Sequence, residues 1–413
     1  MRRYPPFDPP EYVDFRPDPE VMQAYRETIR RDPARRRLIE RLGADDLLRL
    51  YEGMIRFRLH DIALKRWVRQ GIISKAWLGA GEEAVTVGGV RALGQGDLVG
   101  PMIRNAGACH EMGMPVAAML KAYLGTGDQI TRGRDLHTGD PALGVIPPTS
   151  MMGCLVPVFA GIGIALKRSG EKRVGLTWVG DGASRTTAFH EGMNLAAVLK
   201  LPMIVVLQNN QVALGTPATR HSAGRLADLH TAYGAEGMTC DGNNVLDVFA
   251  ATRILAERCR RGGGPAILTA ETFRMGGHAT HDEAEARALF PPERFHHWGL
   301  RDPIGTYESY LIEAGPPLDG RRKPAAAERA RANRRRLDEV EARVTAEVEA
   351  ACEEALESRR TRMPAPEEAL EGVYASPLPA SPDAPPATVR SPARRPTEAR
   401  RTGRSRRRGG KKS

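Results

Sequence analysis

The sequence predicts a doubly wound α/β fold with a mostly parallel sheet and helical flanks, and three observations carry that expectation. Residues 173–207 read as strand, turn, helix, strand. The strings GDGAS at 180–184 and QNNQV at 208–212 fall just past the two strand ends, where open α/β sheets bind ligands. A chain of 413 residues can bury one large core with terminal additions.

RVGLTWV at 173–179 is a short apolar run rich in strand formers. Gly180 and Gly182 are expected to let the backbone turn sharply and to leave room for ligand oxygens. Thr186 or Thr187 is expected to cap a helix carrying Phe189, Met193, Leu195, Ala196 and Leu199 at helical spacing. Pro202 stops that helix, and MIVVL at 203–207 reads as a buried strand. GIGIA at 161–165 contains Gly-x-Gly, but it lies in an apolar helix preceding the strand. That is the wrong order for a dinucleotide fingerprint, and close helix packing is the expected use.

Residues 1–19, rich in proline and aromatics, are expected to form an extended arm, and Glu20 to Arg41 is charged and partly helical. Asp45 to Gln70 reads as an amphipathic helix with Leu47, Tyr51, Met54, Ile55 and Ile62 on one side. Arg301 to Glu313 is expected to be helical. Lys323 to Arg362 reads as a long helix of mixed charge, solvated apart from one packed stripe. The expected organisation is an N-terminal arm and helix over 1–43, a main domain over 44–375, and a disordered Pro-rich basic tail over 376–413.

The net charge is +11, and residues 376–413 hold 11 basic and 2 acidic residues, which leaves near +2 for the remainder. The basic balance therefore belongs to the tail and does not argue for a nucleic-acid-binding fold. Nonspecific attraction to polyanions is what such a tail offers, with a purely solubilising extension as the alternative. No apolar run approaches membrane-spanning length. Cys109, Cys154, Cys240, Cys259 and Cys352 show no close paired spacing, which favours reduced thiols and a cytoplasmic location.

The separation of about 26 residues between Gly182 and Asn209 brings a carboxylate and an amide carbonyl together from neighbouring strand ends. Mg2+ takes a few hard oxygen ligands and completes its octahedron with substrate phosphates. Asp181, the Asn209–Asn210 pair and the main-chain carbonyl of Val212 make such an oxygen set, and the reading is a diphosphate–metal site.

The constellation resembles the thiamine diphosphate motif, and the surrounding sequence resembles the alpha subunit of the 2-oxo acid dehydrogenase first component. Matching stretches run from about Leu47 to Tyr374: QGIISKAWLGAGEEA at 70–84, MIRNAG at 102–107, GRDLHTG at 133–139, TSMMGCLVP at 149–157, TFRMGGHATHDE at 272–283, RDPI at 301–304 and EEALEGVY at 367–374. The resemblance implies a sheet of the thiamine diphosphate-binding type. It implies that Asp181 and Asn210 bind Mg2+ by side chain and Val212 by its carbonyl. Gly180, Gly182 and Ala183 would border the diphosphate, and Arg104 would grip it in bidentate fashion. Met152 would hold the cofactor bent, with Ser150 and the backbone around Gly153 touching its aminopyrimidine. His278 would reach the diphosphate or the reaction intermediate as proton donor or hydrogen-bond partner. A zinc reading of His278, His281 and Asp282 lacks a ligand from a separate element.

The resemblance further implies oxidative decarboxylation of a 2-oxo acid with the acyl group passed to the lipoyl domain of an acyltransferase. The beta subunit of an alpha2-beta2 heterotetramer would supply the activating glutamate. Glu82 and Glu83 match a Gly-x-Glu-Ala segment and are expected to be structural. GGHATHDE at 276–283 and the 133–139 region lean toward the branched-chain branch over the pyruvate branch. An acetoin dehydrogenase alpha subunit is the alternative within the family, and a protein acting on nucleic acid through its tail is the alternative outside it. Three departures stand out. Ile103 replaces the tyrosine that precedes the matching arginine, and Arg185-Thr186-Thr187 replaces an acidic or amide stretch. Ala279 excludes the phosphoserine of some eukaryotic relatives, with Thr280 a weaker acceptor nearby.

Overall fold

Five strands build one parallel sheet: β1 (Leu98–Gly100), β2 (Gly175–Gly180), β3 (Met203–Asn209), β4 (Glu236–Asp241) and β5 (Ala266–Glu271), in the spatial order β1-β2-β3-β5-β4. The computed structural model describes residues 2–3, 13–321 and 324–370. The tail beyond Ser376, the end of the EEALEGVY stretch and most of the arm lie outside the described residues. In the described part of the arm, Arg2–Arg3 pairs antiparallel with Val13–Asp14.

The helices that matter here are α1 (Pro19–Arg31), α2 (Ala44–Arg69), α3 (Glu83–Arg91), α4 (Leu155–Ser169), α5 (Thr187–Val198), α6 (Val245–Arg260), α7 (Pro303–Glu313) and α8 (Ala326–Thr361). Alternate residues of each central strand leave the sheet on opposite faces, so a strand covered on both sides is apolar throughout. Leu176, Trp178, Ile204, Val206 and Leu268 pack with Val85 of α3 and Val248 and Leu255 of α6. Val179, Val205, Leu207 and Ile267 pack with Phe159 of α4 and Phe189 and Met193 of α5. The doubly wound expectation therefore holds, and every paired strand within this sheet is parallel.

Local chemistry fixes the ends of the elements beside the sheet. Thr186 is the cap of α5, its hydroxyl accepting from Phe189 N at 3.3 Å, which gives one of the departing residues a structural use. Asp302 caps α7 through Ile304 N and Gly305 N. Gly163, inside α4, allows Leu201 to approach to 3.0 Å of where a Cβ would sit. The expected one-sided burial of α2 is incorrect. Leu48, Leu50, Phe57 and Leu64 are buried as well as Leu47, Tyr51, Met54 and Ile55, whereas Ile62 is only half-buried. The helix lies among α3, α7 and α8, so more than one stripe is covered. The 36-residue α8 does show the single stripe, through Leu337, Val340, Val344, Val348 and Ala355.

Candidate active site

Register places the two motifs side by side. Gly180 of β2 pairs with Gln208 of β3, so the chain leaves the sheet at Asp181 and at Asn209–Asn210 from adjacent strands. Asp181 is 1% exposed. Its Oδ1 accepts from Gly182 N at 2.9 Å, and its carbonyl accepts from Ser184 Oγ at 2.6 Å. Burial pushes its carboxyl above the usual carboxylate range, partly offset by the Gly182 hydrogen bond and His221. Asn210 is 5% exposed and donates from Nδ2 to Glu82 Oε1 at 2.8 Å. Asn209 instead bonds Glu271 Oε2 at 2.7 Å, so Asn210 is the member of the pair that faces the site.

Asp181 Oδ2 and Asn210 Oδ1 are buried and make no hydrogen bond. The His221 ring lies beside them, its Nε2 3.3 Å from Asp181 Oδ2. Buried oxygens left without donors are costly, and a hard cation satisfies such a pair. The carbonyl of Val212 receives Arg274 Nη1 at 3.4 Å, a long contact. The three oxygens are the hard donor type magnesium takes, with the His221 nitrogen next to them. Among the described residues no three His, Cys, Asp or Glu side chains form a metal-holding group, so the zinc reading of His278, His281 and Asp282 gains no support.

A cavity of about 190 Å³ lies alongside, and Arg104, Ser150, Met152, Gly153, Ala183 and His278 all line it, together with Ile103, Trp77 and His137. Ser150 Oγ is 3.1 Å from His137 Nε2, and His137 Nδ1 is 2.7 Å from Asp135 Oδ1. Met152 is 53% exposed. Gly153 takes φ +78, and a Cβ there would lie 2.2 Å from Thr186 Oγ1, so only glycine fits. The chain does turn at Asp181–Gly182, and it does so with neither Gly180 nor Gly182 at a positive φ. Gly182 is required instead by contact, since its Cβ would lie 2.4 Å from Ala213 Cβ. A Cβ on Gly180 would meet nothing within 4 Å.

Arg104 is 6% exposed. It donates from Nη1 to Leu78 O at 2.9 Å and to Glu82 Oε2 at 3.2 Å, and from Nη2 to His278 O at 3.1 Å. It thereby ties the loop of His278 to the strand ends. Burial, then Arg104 and Arg274, lower the pKa of His278 to about 4. The direction is away from neutrality, set first by burial and then by the two guanidiniums beside the ring. Arg274, itself lowered to about 10 by burial and Arg104, also grips Leu214 O at 2.8 Å.

Sequence reasoning missed Gln208 and Arg274 and took Glu82 for structural. Glu82 is 1% exposed and receives Gln208, Asn210 and Arg104. The one available signal was position: Gln208 and Arg274 flank the motif residues in QNNQV and TFRMGGHATHDE. All five cysteines are free thiols, and among the described residues no helix is long and apolar enough to cross a membrane.

The profile of the dehydrogenase E1 component family matches residues 51–364. The alpha subunit of acetoin:2,6-dichlorophenolindophenol oxidoreductase from Cupriavidus necator is 33% identical over 81% of this chain and 96% of its own length. Its Bacillus subtilis counterpart is 31% identical over 66% of this chain and 82% of its own length. The alpha subunit of 3-methyl-2-oxobutanoate dehydrogenase from Mycobacterium tuberculosis is 32% identical over 68% of this chain and 75% of its own length.

Proposed function

This chain belongs to the dehydrogenase E1 component family as an alpha subunit of a thiamine diphosphate-dependent 2-oxo acid dehydrogenase, and on that premise we propose the following division of labour. It decarboxylates a branched-chain 2-oxo acid or pyruvate oxidatively, together with a beta subunit in an alpha2-beta2 assembly. The acyl group passes to the lipoyl domain of an acyltransferase. The observation that carries this reading is the two buried oxygens that make no hydrogen bond, Asp181 Oδ2 and Asn210 Oδ1, near a cavity lined by Arg104, Ala183 and His278.

Asp181, Asn210 and the Val212 carbonyl would hold Mg2+. Gly180 leaves open space, and Gly182 and Ala183 would offer backbone to a diphosphate. Arg104 would offer its guanidinium to the phosphate oxygens, which it can match in bidentate fashion. Met152 and Ser150 would orient the thiazolium and aminopyrimidine ends from the cavity mouth. When bound, the cofactor supplies a carbanion that attacks the 2-oxo carbon and takes up the electrons left when carbon dioxide departs. His278 would reach the diphosphate or the reacting group as proton donor or hydrogen-bond partner.

A partner face is in keeping with the surface. Met151, Val158, Leu195 and Val198 are 66%, 47%, 43% and 71% exposed, at the cavity mouth and on the packed pair α4 and α5. Apolar exposure on this scale marks an interaction face, and the beta subunit is its proposed occupant. Acetoin is the second substrate reading, favoured by the names of the Cupriavidus and Bacillus relatives. The test is co-purification with the beta chain and assay with thiamine diphosphate and Mg2+ on branched-chain 2-oxo acids, pyruvate and acetoin. Turnover of one class selects the substrate, and no turnover of any overturns the proposal. Asp181→Ala is expected to abolish metal-dependent cofactor retention, and unchanged retention would contradict the metal assignment.

A further inference from the structure

Glu82 makes no contact that the family reading assigns, yet it sits at the convergence of the site. Carboxyl oxygens facing N–H groups accept hydrogen bonds from them. Glu82 Oε1 receives Gln208 Nε2 at 2.6 Å and Asn210 Nδ2 at 2.8 Å, and Oε2 receives Arg104 Nη1 at 3.2 Å. The amide of Gln208 is fixed at its other end, where Oε1 accepts from Asn105 Nδ2 at 3.0 Å; that same group donates to Thr86 Oγ1 at 2.6 Å. Every amide in the row therefore points its NH2 the same way, and the row terminates on the carboxylate.

We propose that Glu82 is the positioning residue that turns Asn210 so that its Oδ1, rather than its NH2, faces the metal. Rotating the Asn210 amide by half a turn would set oxygen against the Glu82 carboxylate and present a nitrogen donor to a cation. The outward Oδ1 is the one left without a donor. This inference rests on the metal site proposed above and concerns how that site is aligned.

The test measures Mn2+ affinity by electron paramagnetic resonance on the assembly with the beta chain, with thiamine diphosphate present. Glu82→Gln can donate to Asn210 Oδ1 and so permits the wrong rotamer. It is expected to weaken Mn2+ binding by roughly 10–100-fold, the usual range for loss of an orienting partner. Adding Asn210→Asp in the Glu82→Gln background restores a donor-to-acceptor match in which an oxygen must face the metal, and should recover affinity to within severalfold of wild type. Melting without metal identifies variants that fail to assemble. If Glu82→Gln alone does not assemble, the double variant and Glu82→Asp, which keeps the acceptor, are both expected to bind Mn2+. Wild-type affinity in Glu82→Gln, or a double variant as weak as Glu82→Gln, overturns the orienting role. Absence of Mn2+ binding in wild type, or Mn2+ binding unchanged by Asp181→Ala, overturns the site itself.

Discussion

Gly182→Ala isolates a steric requirement from a conformational one. Gly182 has φ −67 and ψ −41, which alanine adopts freely, so the backbone adds no strain. The added methyl would lie 2.4 Å from Ala213 Cβ and 3.6 Å from Ala213 Cα, whereas carbon atoms rest at about 3.5–4.0 Å. The two-stranded turn pairing Val212–Ala213 with Thr216–Pro217 must therefore retreat by about 1 Å or more, carrying the Val212 carbonyl with it. Overpacking of this kind costs about 1–3 kcal/mol, and the stiffer unfolded chain returns about 0.4–1 kcal/mol. Thermal melting of the apo assembly should thus show a modest loss. Calorimetric titration with thiamine diphosphate and Mg2+ should show an affinity loss of about tenfold or more, the equivalent of 1.4 kcal/mol. Ala213→Gly in the same chain deletes the atom that is struck and should restore both readings. Wild-type affinity in Gly182→Ala, or no rescue by Ala213→Gly, would refute the reasoning. Gly153→Ala is the contrast, because its φ of +78 leaves strain that trimming Thr186 cannot remove.

Three further outcomes follow from the same coordinates. His278 has a folded pKa of about 4, below its ordinary 6.5, so the unfolded chain binds the proton more readily. Its contribution to stability is present above about 6.5 and lost as pH falls toward 4; His278→Asn should flatten that part of a melting-temperature profile, and superimposable profiles would count against it. Arg58, 2% exposed, bonds the buried Glu83 carboxylate and Asp302 Oδ2, the latter at 2.9 Å. Arg58→Met should destabilise by about 3–5 kcal/mol, since both acids lose a buried partner, and denaturant unfolding within 1 kcal/mol of wild type, as read on the roughly linear scale, would exclude this. Deleting residues 376–413 removes a net charge of +9; turnover should persist while salt-sensitive binding to a polyanion column is lost.

The sheet and the strand-end pairing were legible because both motifs lie next to their own strands in sequence. An apolar run followed by GDG, and another followed by NN, sets the residues beside each other once the strands pair in parallel register. The environment of the site was not legible in the same way. Gln208 meets Glu82 across 126 positions and Arg104 meets the His278 carbonyl across 174, and no local period announces such partners. The low pKa of His278 depends on Arg104 and Arg274 arriving together, which only the folded chain decides. The misread burial of α2 has the same origin. A helix pattern shows which side is most apolar, but α8, which packs along it, begins more than 250 residues later.

The Glu82–Glu83 dipeptide shows how one short segment serves two ends. It starts α3, and consecutive residues there project about 100° apart. Glu83 therefore turns into the core, where Arg58 and the backbone N–H of Gly81 hold it, while Glu82 turns to Asn210, Gln208 and Arg104. Two identical side chains in identical burial carry different consequences. Losing the charge partner of Glu83 acts on folding, through desolvated carboxylates. Losing the acceptor at Glu82 acts on the strand ends instead, because its three donors are Asn210, Gln208 and Arg104. A glutamine at either position would look equally conservative on paper. The hydrogen bonds separate them: at Glu83 the acceptor balances an arginine, and at Glu82 it dictates which way a ligand amide must face.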